Sequence, residues 1–136
     1  MAYKSKEDQK RTSDAFYQDH KDKIKAKSRL WKKNNPMKVF RGRVKRRARE
    51  AKVEFNLDFE WFKERLDRGA CEVSGLPFVD SEKPMDSFQP SVDRTDPNGG
   101  YTKDNCKMVV WMYNSCKGDN SHKDVMIFAR ALCTQS

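Results

Sequence analysis

Positive charge is confined to one end of this chain, and that limits where a core can form. Residues 1–53 carry 19 Lys and Arg against 6 Asp and Glu, a net of +13, while residues 54–136 carry 10 against 14, a net of −4. A segment so poorly neutralised repels itself and has little apolar surface to bury. Residues 1–53 are therefore expected to form a basic arm, and 54–136 the packed body. With 36% charged residues in 136, that body is one small domain. The asymmetry points to an anionic polymer as partner. No apolar run approaches the roughly 18–20 residues of a membrane span. The opening "MAYKSKEDQK" has no apolar stretch of the secretory type. The expectation is a soluble, intracellular protein with no membrane partner.

Four cysteines, Cys71, Cys106, Cys116 and Cys133, contain no CxxC pair. In a reducing compartment they are expected as buried thiols that pack as small hydrophobes, with a four-cysteine zinc site as the minor alternative and no disulfide framework.

The arm reads as two helices. From Ser13 to about Lys33, Phe16, Ile24 and Trp31 recur about one face apart, with His20 between them and no glycine or proline. "NNP" ends that helix, since the residue before a proline is pushed from helical angles, and Pro36 suits the first turn of the next. In "MKVFRGRVKRRAREAKVEF", Val39 or Phe40, Val44, Ala48 and Ala51 make a narrow apolar stripe. Arg41, Arg43, Lys45, Arg46, Arg47, Arg49 and Lys52 cover the rest, and Lys32 and Lys33 close the preceding helix. A solvated face is the plain reading of such a run. With so few acids nearby, phosphate contact driven by counterion release is favoured. DNA, duplex or branched, is the expected polymer, with RNA not excluded.

In the body, Asn56 or Asp58 can cap a helix with Phe59, Trp61, Phe62 and Leu66 inward, and Gly69 ends it. "CEVSGLPF" reads as a turn or hairpin around Gly75–Pro77, and residues 79–90 as an irregular loop. "PSVDR" is a short strand, "DPNGG" a turn, Cys106–Val110 a second strand, and Met112 onward a helix. A last helix, "SHKDVMIFARALC", is capped by Asn120 or Ser121 and is expected to bury Val125, Met126, Phe128, Ala129 and Leu132.

The stretch "SVDRTDPNGGYTKDN" places a glycine-bearing loop between those strands. Its Val92-Asp93-Arg94-Thr95-Asp96-Pro97, followed by Asn105 at the second strand and Asn114 on the helix, resembles the HNH group of ββα-metal (His-Me finger) endonucleases. The resemblance covers about Cys71 to Gly118 and extends to phage-borne members of the group. It implies an α+β fold: a small ββα-metal core of β-hairpin plus helix, in residues 54–136, with flanking helices and the N-terminal basic arm of residues 1–53. It also implies a phage-encoded protein acting in a bacterial host's cytoplasm.

By that resemblance the activity is metal-dependent hydrolysis of DNA phosphodiesters. Asp93 and Asn114 would hold one divalent ion, Mg²⁺ or Mn²⁺, both being hard oxygen donors. Asn105 would tie the loop to itself. The chain departs from the family at two places. Arg94 stands where the family has its catalytic histidine. An arginine cannot accept a proton, but it can clamp a phosphate. Asp96 is then the candidate water activator, with capping of the Asp-Pro turn as its equal alternative. His122 reads as an exposed helix residue near a cap. The zinc positions hold only Cys71, with Ser74, Val110 and Tyr113 at the others. No structural zinc is expected, and Val110, Trp111 and Tyr113 are expected to hold the knuckle by packing. The second functional reading is a catalytically inactive nucleic-acid-binding protein on the same fold.

Overall fold

A computed structural model describes residues 5–135; residues 1–4 and 136, which open the basic arm and close the body as read from the sequence, lie outside them. The chain forms two compact units, Met1–Val39 and Phe40–Ser136.

The first unit is dominated by α1, Lys6–Asn34, which begins well before Ser13. Ser5 caps it by accepting the Asp8 N–H at 3.1 Å, with Glu7 and Asp8 in the first turn and Lys32 and Lys33 in the last, matching the helix dipole. No residue of α1 is buried; Phe16, Ile24 and Trp31 are all exposed. Pro36 opens α2, Pro36–Ala51, as its fixed φ favours.

From Phe40 onward α2 belongs to the second unit, because its narrow stripe is core. Val44 and Ala48 are buried, and the Phe40 ring meets Phe62 edge-on at 5.4 Å. The boundary in charge, after Val53, and the boundary in packing, after Val39, thus do not coincide. Ala51, expected on the stripe, is exposed. Arg41, expected at phosphate, turns inward: its Nε donates to Leu57 O at 2.8 Å and its guanidinium lies over Phe55 and Phe59. That covers the Phe59 ring, which is otherwise on the surface rather than inward.

Asp58 settles the open choice of cap for α3, Phe59–Arg68, by accepting the Trp61 N–H at 2.9 Å. Gly69 ends the helix in the left-handed region, at φ 69°, where only glycine is unstrained. Trp61 and Phe62 carry its buried face. Residues 70–78 make a tight turn through an Ala70–Pro77 bridge, and an irregular segment leads to the hairpin.

β1, Pro90–Arg94, pairs antiparallel with β2, Cys106–Val110, with Asp93 opposite Lys107 and Arg94 opposite Cys106. α4, Trp111–Lys117, follows at once and packs on both strands. Hairpin and helix make the ββα core, flanked by α2, α3 and α5, His122–Gln135.

Two expectations of burial need correction. α5 packs on α4 but buries no residue: Val125, Met126 and Ala129 are half-covered, and Phe128 and Leu132 stand 53% and 56% exposed. A helical period identifies an apolar stripe but not what lies opposite it. Cys71 and Cys106 are buried, whereas Cys116 and Cys133 are exposed.

Phe62, fully buried on α3 against Phe40 of α2, is expected to cost about 3–5 kcal/mol when changed to Ala, with Leu132→Ser within roughly 0.5 kcal/mol of wild type in the same urea unfolding series.

Candidate functional site

The loop between the strands is closed from within chiefly by Asn105. Asn105 Oδ1 accepts the Asp96 N–H at 2.9 Å, and its Nδ2 donates to Asp96 O at 3.0 Å and Gly100 O at 2.9 Å. A Cβ on Gly99 would stand 2.6 Å from Asn105 Nδ2, and one on Gly100 would stand 2.9 Å from Glu54 O. The paired glycines therefore let the Asn105 amide approach at Gly99 and the Glu54 backbone at Gly100. Tyr101 N–H donates to Glu54 O at 2.8 Å, and Lys103 bonds Asn56 Oδ1 and Asp58 Oδ2, docking the loop on the segment before α3.

Arg94 is part of this lock. Its Nη1 donates to Gly99 O at 3.0 Å and its guanidinium lies 4.7 Å from the Tyr101 ring centre. Asp96 Oδ1 accepts the Asn98 N–H at 3.0 Å, so its carboxylate caps the Asp-Pro turn. Among the described residues no hydrogen bond or ion pair joins Asp96 to Asp93 or Asn114.

Asp93 itself is 4% exposed, and its partner is a residue that sequence reasoning passed over. Lys117, 1% exposed, donates from Nζ to Asp93 Oδ1 at 3.1 Å and to Arg94 O at 2.7 Å. Asn114 turns its amide nitrogen to the strand, donating to Ser91 Oγ at 2.7 Å and Val92 O at 3.1 Å. It thus fastens α4 to β1. The only signal for Lys117 was its place one turn beyond Asn114 on a helix; nothing in "NSCKG" indicates that its ammonium is buried.

These residues do not fit a divalent metal. The position beside the carboxylate is taken by a buried ammonium, which repels a second cation at this range. Among the described residues no group of three or more His, Cys, Asp or Glu is arranged to hold an ion. At the knuckle, Cys71, Val109 and Val110 pack with Val73, Phe78 and Tyr113; Trp111, expected there, instead lines the groove beside α2. Burial pushes the Cys106 thiol up to about 12, so it stays protonated.

Two depressions share Arg47. One, of about 350 Å³, is lined by Phe40, Arg43, Arg47, Ser91 and Trp111 among others; the second, of about 240 Å³, by Arg47, Asp93, Arg94, Asn114 and Asp119 among others. Together they follow β1, with Arg43 and Arg47 one turn apart along the wall. Lys45, Arg46 and Arg49 are exposed on α2, Arg46 in a loose 3.8 Å pair with Glu50. Lys32 and Lys33 lie in the first unit, as does His20, whose Nδ1 meets Phe16 O at 2.9 Å. His122, exposed as expected, also hydrogen-bonds Tyr113 Oη through Nδ1 at 2.9 Å.

The fold and this centre define a small α+β protein built on a ββα core closed by an ion pair. No family model matches the chain, and no solved structure matches it. It is similar to the uncharacterized 29.0 kDa protein of the dda-modA intergenic region of Enterobacteria phage T4, 31% identical over 96 residues. The match covers 68% of this chain and 38% of that protein, so this chain spans well under half of its relative's length. No helix among the described residues is long and apolar enough to cross a membrane.

Lys117→Met, which strands the Asp93 carboxylate, is expected to cost about 3–5 kcal/mol, with Asp93→Asn/Lys117→Met recovering much of the loss in a urea double-mutant cycle.

Proposed function

We propose that this chain is a nucleic-acid-binding protein whose ββα core holds phosphate without a metal, in preference to a metal-dependent endonuclease. The observation that carries this reading is the buried Lys117 ammonium on Asp93, where the nuclease reading needs a divalent ion. With Arg94 tied into its own loop and Asp96 capping a turn, neither residue is poised to activate water.

The gripping surface is the groove along β1. Arg43 and Arg47 have no ion-pair partner among the described residues and stand on a helix anchored in the core, so no ion pair has to break and the backbone is already ordered when they meet a phosphate. The exposed guanidiniums and ammonium of Lys45, Arg46 and Arg49 extend the positive field and add counterion release. Lys32 and Lys33 on α1 supply further charge. DNA is the expected ligand. Similarity to a phage protein supports action in the cytoplasm of a bacterial host.

Fluorescence anisotropy with duplex, branched and single-stranded DNA and with RNA tests this. Affinity is expected to fall steeply with salt, and Arg43→Ala with Arg47→Ala should together lower the log–log salt slope by about 1.8 if both meet phosphate on duplex DNA. Arg41→Ala should instead destabilise the fold. Supercoiled plasmid is expected to remain uncut in Mg²⁺, Mn²⁺ or EDTA; metal-dependent cutting abolished by Asp93→Ala would restore the endonuclease.

A further inference from the structure

A cavity of about 200 Å³ is lined by Glu72, Val73, Asp93, Thr95, Lys107, Tyr113, Lys117 and His122, without Arg43 or Arg47. We propose that it is a phosphate site, taking inorganic phosphate or the terminal phosphate of a nucleic-acid strand through Lys107, Thr95, His122 and the remaining N–H of Lys117.

The donors converge for identifiable reasons. An ammonium has three protons, and Lys117 gives one to Asp93 Oδ1 and one to Arg94 O, leaving a third on a side chain that lines the cavity. Lys107 is exposed on β2, opposite Asp93 in register, and among the described residues no hydrogen bond or ion pair engages its ammonium. Thr95 adds a hydroxyl from the first residue after β1.

The two acids in the wall are already neutralised. Asp93 is held by Lys117. Glu72 Oε2 accepts the Met108 N–H and pairs with Arg65 Nε at 3.3 Å, while its other oxygen faces Arg68 at 3.9 Å. The surplus charge facing the cavity is therefore positive, and Lys107 supplies it.

His122 gives the site a readout of occupancy. Burial, together with the Asp93 charge, pushes the Tyr113 phenol up to about 12, so it keeps its proton and can donate to Nδ1 of a neutral His122. The imidazole proton then resides on Nε2 as a donor. A charged ring would be stabilised by a bound phosphate, so occupancy of the site favours the imidazolium over the neutral imidazole. The groups facing the imidazole around this cavity are Tyr113 and Lys117 of α4, Asp93 of β1, Lys107 of β2 and Glu72, with Lys123 and Asp124 beside it on α5. The site needs no occupant in the groove, so its failure and that of the nucleic-acid reading are separable.

The chain has two histidines, and His20 in the first unit serves as an internal control. In ¹H NMR of the full chain at constant ionic strength, inorganic phosphate is expected to raise the His122 midpoint by about one pH unit, a roughly tenfold preference for the charged ring, and to leave His20 in place. Lys107→Gln should remove at least half of that shift, and Arg43→Ala/Arg47→Ala none of it. A 5′-phosphorylated oligonucleotide that reproduces the shift, where its 5′-hydroxyl counterpart does not, assigns the site to strand ends; a shift with inorganic phosphate alone assigns it to the free ion. An unmoved His122, equal movement of both histidines, or a full shift in Lys107→Gln overturns the proposal.

Discussion

A buried ammonium on a buried carboxylate is the contact around which this small protein is organised. Two charges out of water are costly unless each finds its partner and its remaining hydrogen bonds. Lys117 meets that condition by bonding Asp93 and the Arg94 carbonyl at once, and so ties the end of α4 to the end of β1. Asn114, one turn earlier, fastens the same helix to Ser91 and Val92. The two residues set where the helix lies on the hairpin. The same ammonium carries the functional proposal, because a carboxylate neutralised in this way is a poor ligand for a metal. Structure and functional proposal thus rest on one interaction.

The loop that leaves β1 depends on a second polar constraint, of a different kind. A single amide, Asn105, closes the loop from within through three bonds, and two glycines admit the close approach that those bonds and Glu54 require. Arg94 stacks on Tyr101 and bonds Gly99, adding stiffness. Residues with the look of a reactive cluster are occupied with one another. Their polarity serves backbone groups that a short loop cannot pair by secondary structure.

Charge and packing follow separate rules along α2. Its arginines make it look like part of an arm, yet Phe40, Val44 and Ala48 are body core. A helix needs few small apolar residues to dock, and the surrounding charges can stay in water or, like Arg41, lie over aromatic rings. Docking also fixes Arg43 and Arg47 beside β1, which turns a diffuse basic surface into a lined groove.

Much of this was legible in the residues alone. The hairpin and its turn, the capped helix over Trp61 and Phe62 and the break at Pro36 come from local rules, in which a turn, a cap or an alternation is decided by neighbours within a few positions, while the tying role of Asn105 came with the family resemblance. Partnerships between distant residues were not legible. Lys117 on Asp93, Arg41 on Leu57 and the poor cover of α5 depend on which surfaces meet, and charge or periodicity along the chain carries no record of that. The sequence by itself determined an α+β chain with a positive end and a polar, glycine-bearing loop between two strands. Only the tertiary structure decided that the loop's buried aspartate faces an ammonium, because the free energy of burying a charge depends on what stands within a few ångströms in space, whatever its distance along the chain.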